Sequence, residues 1–139
     1  MDVHVRVTEQ PLSLEGMAGL VGRETAGAIV TFQGTTRDVE RLEYEAYREM
    51  AEERIDAIVT EVAERHALEA AAAEHRIGIV PRGLSSVIVA VAAAHREEAF
   101  AAAREIIDRI KSEAPIWKKE VEGEDERWVE GTQAGHAGS

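Results

Sequence analysis

The hydrophobic period of this 139-residue chain switches repeatedly between two and about 3.6 residues, which restricts it to a fold that interleaves strands with helices. Val3, Val5 and Val7 alternate, predicting a first strand, and Pro11 with Ser13 as an N-cap opens a short helix through about Val21. Ala28, Ile29, Val30 and Phe32 form a second strand that ends at Gly34, before the polar turn 35–38. Leu42, Tyr44 and Ala46 alternate again, so 42–47 is expected to be a strand paired with the previous one. Ile55, Ile58, Val59 and Val62 then recur at helical spacing within a helix over 48–66.

The second half repeats the pattern. Residues 73–80 read as one strand, 81–84 as a turn, and 85–93 as a continuous apolar strand of the kind buried on both faces. A second long helix over 96–113 should bury Ala99, Phe100, Ala103, Ile106, Ile107 and Ile110 and stop before Pro115. Residues 116–130 suggest a hairpin around Gly123 with Trp117 and Trp128 on its arms. The order β-α-β-β-α-β-β-α-β-β predicts an α+β fold: a mixed, largely antiparallel sheet with two long helices and a short one. One domain over 1–130 with a flexible tail over 131–139 fits this length.

Composition narrows the function. A net charge of -11 argues against nonspecific binding to nucleic acid or an anionic membrane, since both need clustered Lys and Arg. An anionic small ligand remains open if positive charge is concentrated locally. The chain contains no cysteine, so disulfides, thiolate catalysis and cysteine-based metal sites are excluded. The histidines lack zinc-ligand spacing, and no Gly-rich phosphate loop is present. No apolar run approaches the roughly 20 residues a membrane span needs, and the N-terminus lacks a leader pattern. A cytoplasmic protein is expected.

Local positive charge does exist. All three lysines, Lys111, Lys118 and Lys119, fall within positions 111–119, while every other basic side chain of the Lys and Arg set is arginine. Lysine offers what arginine does not, a compact amine whose pKa shifts on burial and which serves as acid, base or nucleophile. Lys111 also suits the C-terminal end of a helix for electrostatic reasons alone. Pro115 bends the chain between Lys111 and the strand that follows, where alternation makes Lys118 and Lys119 face opposite ways, and Lys118 is expected to point inward. His95 and Arg96 stand at a helix N-terminus, a place suited to an anion, although a capping histidine and an ion-paired arginine fit the same residues. Arg37 follows a strand end and reads equally as a solvated turn residue.

The ordered blocks Phe32-Gln-Gly34-Thr-Thr-Arg37-Asp38, Leu42-Glu-Tyr44-Glu45-Ala46-Tyr47, His75-Arg76-Ile77-Gly78, His95-Arg96-Glu-Glu-Ala99-Phe100, Ala114-Pro115-Ile116-Trp117-Lys118-Lys119-Glu120 and Arg127-Trp128-Val129-Glu130 together resemble the large, catalytic subunit family of molybdopterin synthase. The resemblance covers the chain from about Val3 to Glu130. It implies an α/β hammerhead fold and conversion of cyclic pyranopterin monophosphate into molybdopterin. The two sulfurs would come from the C-terminal thiocarboxylate of a small ubiquitin-like subunit ending in Gly-Gly, which resolves the absence of cysteine. It further implies a homodimer, a heterotetramer with two small subunits, and no cofactor or metal. Carried over by position, Lys111 and Lys118 are catalytic, and Arg37, His95, Arg96 and Lys119 bind substrate.

The chain departs from the family pattern in three places. The 38–42 connection is short, Thr36 replaces an aliphatic residue, and Gly131-Thr132 stand where an arginine is expected. The rival reading is a non-enzymatic dimeric α+β module that binds an anionic metabolite through Arg37, Arg96 and Lys111. A straight helix over 96–113 separates Arg96 from Lys111 by fifteen residues, or roughly 22 Å at about 1.5 Å per residue, too far to meet one small ligand. Either the helix bends sharply, or a second copy's His95 and Arg96 complete the pocket of the first, which is the favoured expectation and agrees with the homodimer the resemblance implies.

Overall fold

A computed structural model describes residues 1–129. The expected tail over 131–139, with Thr132, lies outside the described residues. Eleven elements follow in order: β1 (Asp2–Thr8), α1 (Leu14–Val21), β2 (Ala28–Thr35), β3 (Arg41–Ala46), α2 (Arg48–Arg65), β4 (Ala70–Arg76), β5 (Gly78–Pro81), β6 (Ser85–Ala93), α3 (Arg96–Glu113), β7 (Ile116–Glu122) and β8 (Asp125–Trp128). The fold is α+β, as expected, but with one strand more than the sequence suggested.

The strands form two four-stranded sheets, ordered β1-β4-β6-β2 and β5-β3-β7-β8. Only β1 and β4 run parallel, and every other pairing is antiparallel. In the first sheet, β6 is interior and apolar from Val87 to Ala93, where it is covered on both faces. Val87, Val89 and Val91 join a core with Ile55, Ile58 and Ile106 of α2 and α3, whereas Ile88, Ala90 and Ala92 meet Met17 and Val21 of α1. The alternation of β4 between Ala71/Ala73 and Ala70/Ala72 serves the same two layers with small side chains.

Two expectations about strands are corrected. The segment 73–80 is not one strand. Gly78 takes φ +82, a left-handed conformation open to glycine, and the chain turns there from the first sheet into the second. Nor does β3 pair with β2: β2 lies against β6, and β3 lies between β5 and β7. The 36–40 connection crosses between the sheets, held by bonds from Thr36 N to the Leu84 carbonyl (3.0 Å) and from Arg82 N to the Glu40 carbonyl (2.9 Å).

The helices follow the sequence closely. Ser13 Oγ accepts from Gly16 N at 2.9 Å and caps α1. α3 buries Ala99, Ala103, Ile106, Ile107 and Ile110 as expected, but Phe100 is 63% exposed. Its place in the helical stripe lies one step beyond the residues that α3 turns to the sheet. Leu42, Tyr44, Val80 and Ile116 carry the second sheet onto the end of the same core. That junction places the Lys111–Lys118 segment over the gap between the sheets.

Candidate active site

Lys111 ends α3 and Lys118 is the third residue of β7, with Pro115 in the bend between them. β7 alternates: Ile116 and Lys118 turn inward, and Trp117 turns outward. Lys118 is only 6% exposed and stands opposite Tyr44 across the β3–β7 ladder. Lys111 is half-buried. The two lysines line one small cavity of about 30 Å³ together with Tyr44, His75, Ser86 and Ile110. Tyr44, Ser86 and Lys118 also line an adjoining cleft of about 360 Å³, whose far side carries Arg37, Asp38, Glu120 and Arg127. A narrow, cation-walled slot thus opens into a wider cleft of the size that holds a small ligand.

Burial sets the chemistry of this slot. It pushes the Lys111 amine down to about 8, helped by the Lys118 charge and opposed by Asp108. Lys118 is lowered too, again mainly by burial, with Arg37 adding to the effect and Glu120 opposing it. His75 is pushed down to about 4 by burial, and Lys111 and Lys118 reinforce that shift. Its imidazole is therefore neutral at physiological pH. Tyr44 is raised by burial, with a hydrogen bond to Ser86 working the other way, and its ring meets His75 edge-on at 5.0 Å. The site holds two amines whose pKa values burial lowers, in a partly dry enclosure where an ammonium stabilises developing negative charge more strongly than in water.

The remaining expected residues scatter. Arg37 reaches the wide cleft and is exposed, with Asp38 no closer than 4.0 Å. Lys119 faces away from the cleft: its ammonium lies 3.0 Å from Glu126, 3.5 Å from Glu43 and 5.3 Å from the Trp128 ring. Hydrogen bonding to Glu126 raises its pKa, the reverse of its two neighbours. His95 and Arg96 border a separate surface hollow with Gly27, Ala94 and Glu97. His95 Nδ1 lies 3.6 Å from Glu98, and α3 runs unbroken between this hollow and Lys111.

Sequence reasoning did not single out four lining residues: Tyr44, His75, Ser86 and Arg127. Tyr44, His75 and Arg127 fell inside the quoted blocks without a role, and Ser86 had no signal, being one hydroxyl at the start of an apolar strand. Arg127 pairs with Glu120 across β7 and β8. Among the described residues, no group of three or more His, Cys, Asp or Glu side chains is placed to hold a metal ion, and no helix is long and apolar enough to cross a membrane.

The fold defines a class, that of the solved molybdopterin synthase structures. The crystal structure of molybdopterin synthase from Staphylococcus aureus superposes with a TM-score of 0.85 at 34% identity, covering 89% of this chain and 95% of that one. The chain belongs to the MoaE protein family, whose pattern matches residues 7–113. Among curated relatives, the molybdopterin synthase catalytic subunit of Thermoplasma volcanium is 42% identical over 127 residues, 87% of this chain and 93% of the relative. That of Oryza sativa subsp. indica is 50% identical over 111 residues, 76% of this chain. The chain matches only 58% of the length of the rice protein.

Proposed function

We propose that this chain is the catalytic subunit of a molybdopterin synthase. In this reading it converts cyclic pyranopterin monophosphate to molybdopterin with sulfur from the C-terminal thiocarboxylate of a small ubiquitin-like subunit. The observation that carries the reading is the pairing of Lys111 and Lys118 in one buried slot at the floor of a wider cationic cleft. The wide cleft suits a phosphorylated pterin beside Arg37, and the slot suits the thin Gly-Gly tail of the sulfur donor.

Two amines with lowered pKa serve the chemistry in complementary ways. With a pKa of about 8, roughly a tenth of Lys111 is unprotonated at pH 7, enough to take a proton or act as a transient nucleophile. When the thiocarboxylate sulfur bonds to a pterin carbon it leaves a thioester, whose acyl–sulfur bond water cleaves to release the donor as a carboxylate. The charged remainder stabilises the oxyanion of that hydrolysis and the oxygen that leaves when the cyclic phosphate opens. His95 and Arg96 enter through a second copy of the chain, in a homodimer that binds two small subunits. Lys119 contributes from the back of β7 by tying the β7–β8 hairpin to β3. A cytoplasmic location belongs to the same reading.

The deciding experiment incubates the protein with thiocarboxylated small subunit and cyclic pyranopterin monophosphate, and measures molybdopterin. Wild type forms product and Lys111→Ala forms about 100-fold less. Absence of product with folded wild type removes the proposal and leaves the anion-binding module in its place.

A further inference from the structure

His75 is a buried imidazole whose hydrogen-bonding state is fixed by its surroundings. Its Nδ1 lies 2.8 Å from the Arg76 carbonyl oxygen, which only accepts, so the proton sits on Nδ1 and donates there. Nε2 is then a lone-pair acceptor. The ring lines the same slot as Lys111 and Lys118. Among the described residues no buried side-chain nitrogen or oxygen lacks a partner, and the Nδ1 contact is the one hydrogen bond of this ring, so Nε2 opens on the slot. Tyr44 packs edge-on against the imidazole and holds its plane.

The electrostatics explain why this matters. The slot's charged walls are donors: Lys111, Lys118 and, farther out, Arg37. They match an anionic end group but offer nothing to an N–H that enters with it. The acceptors facing the slot from β3, β4 and β6 are the Tyr44 and Ser86 hydroxyl oxygens and His75 Nε2; Ser86 Oγ also donates to the Gly34 carbonyl at 3.4 Å, and of the three His75 Nε2 is the one that only accepts. Asp108 and Glu120 act on the lysines from outside that lining.

We propose that His75 is a binding residue of the slot, its Nε2 accepting the amide N–H of the last glycine in the donor subunit's C-terminal tail while the lysines hold the terminal acyl group. The inference rests on the function proposed above and adds the residue that reads the tail's backbone. A neutral, weakly basic imidazole suits this part, because burial and two nearby ammonium groups keep its acceptor lone pair unprotonated over the whole physiological range.

The test uses synthetic peptides ending in Gly-Gly with a free carboxylate, and the same peptides with the last glycine N-methylated, titrated by NMR against wild type and two variants. His75→Asn retains a donor at the Nδ1 position for the Arg76 carbonyl and has no atom at Nε2. His75→Gln reaches the Nε2 position with an amide oxygen. In wild type, N-methylation weakens binding roughly tenfold, the factor for one lost hydrogen bond. In His75→Asn the unmethylated peptide binds about as weakly, and methylation has no further effect. His75→Gln restores sensitivity to methylation. Equal methylation penalties in wild type and His75→Asn overturn the role of His75 while leaving the tail in the slot. Failure of wild type to bind any Gly-Gly peptide overturns the tail-binding reading itself, and this inference with it.

Discussion

At the scale of single residues, position in the chain revealed less than the burial that followed from it. Lysine clustering and strand alternation marked Lys111 and Lys118 and separated Lys118 from Lys119, because both arguments need only spacing. Alternation could not say what lay behind Lys119, where Glu43 arrives from β3 and Glu126 from β8. His75 was invisible for the same reason: its tautomer is set by its own neighbour's carbonyl and its neutrality by a slot that exists only after folding. The lowered Lys111 pKa also predicts a cost in stability. Because the folded state holds this proton less tightly than the unfolded state, whose value is near 10.5, the penalty is complete below pH 8 and fades as pH rises toward 10.5. Lys111→Met should therefore raise Tm at pH 7 by roughly 4 °C, equivalent to about 1 kcal/mol, while abolishing turnover. The gain should shrink in melts run between pH 8 and pH 10.5, and a gain independent of pH would contradict the burial argument.

At the scale of elements, helices were legible almost to the residue and sheet partners were not. The Ser13 cap, the stripe of Ile55, Ile58, Val59 and Val62, and the stop before Pro115 are local signals, complete within a few turns. Strand pairing is decided by distant segments. The chain leaves β4 at Ile77, whose N–H bonds to the Thr8 carbonyl at 2.8 Å, and a one-residue change of direction at Gly78 assigns β5 to another sheet. Two glycines test how tightly these elements are joined. A Cβ at Gly27 would lie 2.1 Å from the Ala94 carbonyl oxygen, between the start of β2 and the end of β6, so backbone must move to admit it. Gly27→Ala should lower the free energy of unfolding by about 2–3 kcal/mol in urea titrations. Gly19, inside α1, has nothing within 4 Å of its missing Cβ, so Gly19→Ala should stabilise by about 0.5–1 kcal/mol. If both substitutions proved neutral, the close approach of β2 to the end of β6 would be wrong.

At the scale of the whole molecule, an unbroken α3 puts the proposed anion groups on opposite ends of one rod. Lys111 sits in the slot, whereas His95 and Arg96 border another hollow roughly 22 Å away along the helix axis. The sequence carried this geometry, since helix length times rise is arithmetic, but one copy of the chain does not hold the answer to what fills the difference. A symmetric pair can, because a two-fold axis gives each pocket the other copy's helix start and makes both sites alike. Such sharing has a quantitative signature. Lys111→Ala and Arg96→Ala are each expected to be inactive, yet a one-to-one mixture allowed to exchange subunits forms hybrids in about half its dimers. Each hybrid contains one pocket with both its own Lys111 and its partner's Arg96 intact, and one pocket lacking both. Half the dimers with half their sites restored gives about a quarter of wild-type turnover. Mass spectrometry of the intact dimers verifies exchange independently of activity. Hybrids present at half abundance with no recovered turnover would mean that each chain builds its pocket alone, and Arg96 would then act within its own hollow beside Gly27 and Glu97.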